Sequence, residues 1–228
     1  MVNVDAVIVA AGSSTRFGAQ DKLFADLCGK PVIAWSFAAY EATSSIAHIV
    51  VVAADGNAGR LQALGAQWAA SKFTGVAPGG PRRRDSVESG LRACSSRYVA
   101  IHDGARPLIT LDIIERCLTA ARVRAGAITA MPVTDTIKEA ADGSVVGHPD
   151  RARLWAAQTP QVVLRQAWLD AAAMSDNDET DDAAMLSRLG LECAIVEGSP
   201  ENLKITRPLD LEIARLIIQA RTGEERQR

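Results

Sequence analysis

Aromatic side chains are scarce in this chain, 4% of its 228 residues. That scarcity argues against the stacking platforms that hold single-stranded nucleic acid. Basic charge is not in excess either. The formal net charge is -2, so no broad phosphate-tracking surface is expected and nucleic acid is not a predicted partner. The four cysteines, Cys28, Cys94, Cys117 and Cys193, stand far apart. Their spacing excludes a CxxC zinc or redox pair and reads as reduced, mostly buried thiols of a cytoplasmic protein. Long apolar runs are missing as well. Val4–Ala11 is too short for a membrane span or a signal-peptide core, so no membrane partner is expected. Only three histidines occur, with neither HExxH nor GxSxG around them.

What is present is an alternation. Val4–Ala10 and Ile46–Ala53 are short, nearly continuous apolar runs, the pattern of strands buried on both faces, and Tyr98–His102, ending at Asp103, and Ala127–Val133 read as further strands. Phe73–Val76 reads as a further short strand. Helical patterns lie between: Pro31–Thr43, Ala58–Ser71, Arg82–Cys94, and Thr110–Ala125 with Thr110 as N-cap. Strands alternating with helices predict an α/β fold with a mostly parallel, open sheet flanked by helices. The alternation breaks at Thr136–Ala140 and Ser144–His148, which flank Asp142-Gly143, a hairpin signal. A two-stranded ribbon without its own core is marginal alone, so this arm, about residues 133–152, needs a neighbour. A second copy of the chain is the economical choice. Beyond it follow a helix over Leu164–Met174, a polar acidic stretch over Ser175–Asp182 read as solvated, and a helix from Asp181. A strand near Glu192–Val196, another at Asn202–Ile205 and a final helix from Arg207 complete the chain. One domain over residues 1–228 with a projecting arm is expected.

The first loop, AAGSSTRFGAQDK from Ala10 to Lys22, follows the first strand. It holds neither a Walker A sequence nor GxGxxG, which disfavours a P-loop kinase and a dinucleotide oxidoreductase. Small residues let backbone approach phosphate, and Arg16 and Lys22 supply two cations for a triphosphate. A polar loop with two solvated cations is the competing reading. Asp103 closes an apolar strand at the sheet edge that faces this loop, a natural position for a Mg²⁺-binding carboxylate. Arg106 lies within reach of an anionic substrate. A plain turn is the alternative for Asp103. His102, inside the strand end, is read as packing locally. Pro78–Ser86 (PGGPRRRDS) is a third candidate loop. Its three arginines read either as a basic helix start on the surface or, because cations are disfavoured at a helix N-terminus, as a sign of a nearby anion. Lys204, in NLKITRP, projects away from its apolar neighbours by period two. A site rich in Arg, Lys and Mg²⁺ and poor in catalytic His fits phosphoryl chemistry, which rests on positioning and charge neutralisation.

In order, the segments AAGSSTR, the loop lysine, GG…RDSV, VAIHDGARP, PVTDTIK, DR…LW..QTPQ, TDDA and NLKITRP span nearly the whole chain. Together they resemble the 2-C-methyl-D-erythritol 4-phosphate cytidylyltransferase family of the non-mevalonate isoprenoid pathway. The resemblance implies a Rossmann-like nucleotidyltransferase sheet, a homodimer joined through the arm, and a reaction. CTP and 2-C-methyl-D-erythritol 4-phosphate would give the diphosphocytidyl polyol and pyrophosphate, with Mg²⁺. By motif, Ala10, Ala11 and Gly12 would contact the cytidine end, and Arg16 and Lys22 the triphosphate. Gly80 and Ser86 would hold cytosine or ribose, and Asp103 would serve Mg²⁺ and face substrate. Arg106, Thr159, Thr180 and Lys204 would line the polyol-phosphate pocket, with Lys204, Arg16 and Lys22 catalytic. Thr136 and Arg151, on the arm, would reach the neighbouring subunit. Asp21 stands where members often have Pro, and Pro81 where many have Asp. A sister enzyme acting on ribitol 5-phosphate, or an inactive nucleotide-binding relative, is the alternative.

Overall fold

A computed structural model describes residues 3–12, 17, 21–174, 179 and 181–225. In chain order the elements are β1 (Val4–Ala10), a 3-10 turn at Lys22–Phe24, β2 (Asp26–Leu27), β3 (Lys30–Pro31), α1 (Val32–Ala42), β4 (Ile46–Ala53), α2 (Ala58–Trp68), β5 (Phe73–Pro78), α3 (Arg83–Arg92), β6 (Tyr98–Asp103), α4 (Leu111–Ala121) and β7 (Gly126–Pro132). The arm strands β8 (Glu139–Ala141) and β9 (Ser144–Gly147) come next. A 3-10 turn at Arg151–Arg153, β10 (Trp155–Leu164), α5 (Arg165–Met174), α6 (Asp182–Ser187), β11 (Cys193–Glu197) and α7 (Pro208–Glu225) follow.

Seven strands form one sheet in the order β11-β7-β10-β6-β1-β4-β5. All adjacent pairs are parallel except those of β10, which runs antiparallel to both β6 and β7. Period-two alternation sends successive side chains of β1 to opposite faces. Val4, Ala6 and Ile8 pack with Phe37 and Tyr40 of α1, Leu61 of α2 and Ile114 of α4. Val7 points the other way, to Val87 and Leu91 of α3, Trp168 of α5 and Leu186 of α6. The sheet is therefore covered on both faces, which explains the unbroken apolar runs. A third cluster ties Leu211, Ala214 and Ile218 of α7 to Leu27, Leu108 and Ile205.

The expected α/β alternation is present, with several differences. β10 is an interior strand of the sheet, between β7 and β6, but has no apolar-run signature. Its outer half is exposed, its register slips between Ala157 and Gln161, and Pro160 in that gap has no N–H to donate. Asn202–Ile205 is not a strand. It is extended and docks through one backbone bond, Ile205 N–H to the Ala105 carbonyl at 2.8 Å. α2 ends at Trp68 and α4 at Ala121, where Arg122 and Val123 close the end by donating to Thr119 and Ala120. Thr110 does cap α4, accepting from Ile113 N–H. The arm strands are shorter than predicted, and they pair only with each other. Among the cysteines, Cys94 and Cys117 are buried, Cys193 is half-buried and Cys28 is exposed.

Candidate active site

The carboxyl ends of β1, β5 and β6 lie along one edge of the sheet, the edge where open α/β folds bind ligands. Gly79 donates to the Ala53 carbonyl at 2.7 Å, and Gly104 to the Val9 carbonyl at 3.0 Å. These bonds draw the loop after β5 against the end of β4 and the loop after β6 against the end of β1. A side chain at Gly79 would meet the Ala11 Cβ at 2.4 Å, and one at Gly80 would meet the Asp85 Cβ at 2.4 Å. Only glycines allow this approach. The result is a cavity of about 400 Å³ lined by Ala11, Gly12, Gly80, Ser86, Asp103 and Lys204, among others. Four segments far apart in sequence meet there.

Asp103 is the electrostatic centre. Its Oδ2 lies 2.9 Å from Lys204 Nζ and 3.5 Å from Arg106 Nε, and its Oδ1 lies 3.8 Å from Arg83 Nε. Burial alone would raise its pKa. Lys204, Arg83 and Arg106 outweigh that and hold the carboxyl well below the usual carboxylate range. Arg83 shows the converse balance: burial would lower it, but Asp182 and Asp103 raise it. Its Nη2 lies 2.8 Å from Asp182 Oδ2. Asp182 is itself buried, accepts from Trp168 Nε1 at 3.2 Å, and gives its N–H to Gln161 Oε1 at 2.9 Å.

Behind Asp103 runs a buried relay of hydrogen bonds. Asp103 N–H donates to Thr159 Oγ1 at 3.0 Å, and Thr159 Oγ1 lies 3.0 Å from His102 Nδ1. His102 Nε2 lies 3.1 Å from the Arg106 carbonyl. A carbonyl only accepts, so Nε2 carries the proton and Nδ1 accepts from the threonine hydroxyl. Burial pushes His102 down to about 4, so the ring is neutral at pH 7. Arg106 Nη1 donates to the Asn202 carbonyl at 2.7 Å, and Asn202 Nδ2 donates to the Thr159 carbonyl at 2.9 Å. Arg106 Nε is buried and has no hydrogen-bond acceptor.

The sequence profile of the family described as IspD, 2-C-methyl-D-erythritol 4-phosphate cytidylyltransferase, matches residues 4–220. The chain belongs to this family. The cytidylyltransferase of that name from Synechococcus elongatus is 42% identical over 222 residues, 94% of this chain and 96% of that one. The one from Prochlorococcus marinus is 42% identical over 225 residues, 95% and 99% of the two chains. The crystal structure of the Thermus thermophilus enzyme superposes with a TM-score of 0.78 at 29% identity, covering 95% and 99%. The 4-diphosphocytidyl-2C-methyl-D-erythritol synthase of Anaerococcus prevotii shares the fold, with a TM-score of 0.83 at 24% identity over 95% and 98% of the chains.

Against the family's expectations, the residues fall into five groups. Ala11, Gly12, Gly80, Ser86, Asp103 and Lys204 line the cavity, and Ala10 ends the strand beneath it. Arg106 and Thr159 sit beside it but are committed to the internal bonds just described. Thr136 and Arg151 are exposed on the arm segment and away from this cavity. Lys22 is half-buried at its 3-10 turn and does not line the cavity. Arg16 and Thr180 lie outside the described residues. The anions beside the arginine run are carboxylates of the chain itself. Arg82 bonds Asp85, Arg83 pairs with Asp182, and buried Arg84 donates to the Ala172 carbonyl at 2.8 Å. Asp182, read as part of a solvated acidic stretch, is the buried partner of that run. Sequence reasoning missed Arg83, Asp182, Gly79 and Asn202. The misplaced charge at a helix start was the available signal for the first two.

Among the described residues, no group of three or more His, Cys, Asp or Glu side chains converges as a metal cage. One carboxylate fits Mg²⁺ all the same, because that ion is usually held by one or two carboxylates together with substrate phosphates. Asp103 Oδ2 is engaged by Lys204, while Oδ1, among the described residues, has the 3.8 Å approach of Arg83.

Proposed function

We propose that this protein transfers CMP from CTP to 2-C-methyl-D-erythritol 4-phosphate, releasing pyrophosphate. The observation that carries this reading is the ionised Asp103 held among Lys204, Arg106 and Arg83 at the sheet edge, facing a small-residue loop in a chain of this family. A phosphate monoester is largely dianionic at neutral pH, its second pKa being about 6, so the nucleophile needs no strong base. Its oxygen forms a bond to the α-phosphorus of CTP while the bond from that phosphorus to pyrophosphate breaks. Charge grows at the reacting phosphate, and in this reading Lys204 neutralises it. Lys22 and Arg16 neutralise the triphosphate in this reading. Gly80, Ser86 and the backbone of Ala10–Gly12 hold the nucleoside. In this reading Arg106, whose Nε stays at ion-pair distance from Asp103, lines the polyol-phosphate pocket together with Thr159 and Thr180. Asp103 would hold Mg²⁺, which when bound lowers the charge repulsion between phosphates.

Part of the same proposal is a cytoplasmic homodimer in which the arm brings Thr136 and Arg151 to the neighbouring site. The exposed apolar residues Val145 and Val146 on the arm support this. No described helix is long and apolar enough to cross a membrane. The deciding assay is pyrophosphate release with each of four nucleoside triphosphates, with and without Mg²⁺, on 2-C-methyl-D-erythritol 4-phosphate and ribitol 5-phosphate side by side. Release is expected with CTP, Mg²⁺ and the methylerythritol phosphate. Preference for ribitol phosphate would overturn the substrate assignment.

A further inference from the structure

A second cavity, of about 470 Å³, shares no lining residue with the one at Asp103. It lies between α1, the segment after β6 and the end of α7. Its walls include Trp35, Leu108, Ile109 and Ile218, and its polar fittings include Lys30 and Arg221. That size and an apolar lining with few polar groups are typical of a small-molecule site.

The charges on this lining are one-sided. Lys30 and Arg221 are cations, and no carboxylate contributes to the wall. Arg221 is already engaged: it donates to the Leu108 carbonyl at 3.2 Å and pairs with Glu201 at 2.7 Å. Lys30 differs. Its Nζ sits 4.6 Å from the Trp35 ring centre and 4.7 Å from that of Trp68. Two aromatic faces fix the ammonium in place by cation–π attraction. Among the described residues it has no hydrogen-bond acceptor and no ion-pair partner. The neighbouring hydroxyls are used internally, since Thr110 Oγ1 accepts from Ile113 N–H and Thr222 Oγ1 donates to the Ile218 carbonyl. Trp35 Nε1 is spent on the Leu27 carbonyl at 3.0 Å, which leaves its ring as apolar surface.

We propose that this cavity is a binding site for a small amphiphilic anion, with its apolar body against Trp35, Leu108 and Ile218 and its anionic head on Lys30. A fixed cation whose donors have no protein acceptor, beside an apolar wall without acid, favours that combination over a neutral or cationic ligand.

The test uses octyl phosphate and octanoate below their micelle concentrations, with octanol and octylammonium as controls. Binding is followed by calorimetry and by tryptophan fluorescence. Both anions should bind saturably, octanol about tenfold more weakly and octylammonium not at all. Lys30→Gln should weaken octyl phosphate about tenfold while leaving octanol unchanged, and Ala38→Phe, which fills the cavity, should abolish binding. Wild-type pyrophosphate release by both variants would show that they are folded. Equal affinity for octyl phosphate and octanol, no effect of Lys30→Gln, or no saturable binding would overturn the proposal. So would a changed oligomeric state in Ala38→Phe with octyl phosphate binding intact, an outcome that assigns the cavity to a second copy of the chain.

Discussion

Asp103 carries its charge where burial opposes it, and three cations make that possible. The three contribute differently. Lys204 is the most exposed and the shortest contact, at 2.9 Å, whereas Arg106 and Arg83 are anchored elsewhere by Asn202 and Asp182. Lys204→Ala should therefore spare the fold and damage the chemistry. Turnover at saturating CTP and Mg²⁺ should fall roughly a hundredfold to a thousandfold. The melting temperature should fall by about 2–8 °C with the protein still folded, since Asp103 loses its nearest cation but keeps Arg83 and Arg106. Near wild-type turnover would remove Lys204 from the catalytic role. Asp21, an acid beside the loop lysine, has an explanation at this scale. It caps the 3-10 turn, accepting from Leu23 N–H at 3.1 Å, and its other oxygen takes Asn57 Nδ2 at 2.9 Å. Its charge serves a local turn and a bond to the start of α2.

At the scale of elements, the arm is the part that does not complete itself. β8 and β9 form an isolated ladder, and Val145 and Val146 are exposed upon it. Such a ribbon gains little from its own burial. Val145→Glu with Val146→Glu should shift the protein toward monomer in sedimentation equilibrium and lower turnover at the same time. A monomeric wild type would defeat the dimer proposal. Mixing inactive Arg151→Ala chains with inactive Lys204→Ala chains should restore some pyrophosphate release, because one site in a mixed dimer would have both residues. No rescue in verified heterodimers would show that Arg151 acts within its own chain. β10 is the other instructive element. It carries Thr159 and Gln161 into the middle of the molecule, and both side chains hold site residues from behind.

For the whole molecule, the buried site predicts a pH dependence. His102 falls from 6.5 to about 4 on burial. The folded protein binds fewer protons there than the unfolded chain between those values. The associated stability is therefore complete above pH 6.5 and is lost as pH drops toward 4, on the order of 3 kcal/mol. Below about pH 4 the depressed carboxyls of Asp103 and Asp5 add to the loss, because each must be protonated against its native partners. Urea unfolding across pH 4.5–7 should show this slope, and His102→Gln should flatten it. An unchanged slope in that variant would show that another group is responsible.

The sequence by itself determined the alternating α/β plan, the arm and the ordered loops. Each of these rests on local information: apolar runs for strands buried on both faces, an Asp-Gly turn, and small residues where backbone must approach a ligand. It also located Asp103, Lys204, Gly80 and Ser86, which the tertiary structure brings to one cavity. It did not reveal β10, because a strand interrupted by Pro160 and half-exposed lacks a period. Nor did it reveal that Arg83 and Asp182 are partners, since 99 residues separate them and each alone looks like a solvated charge. Burial and long-range pairing are properties of the folded chain. Only the tertiary structure decides which charges lose their water and must therefore find one another.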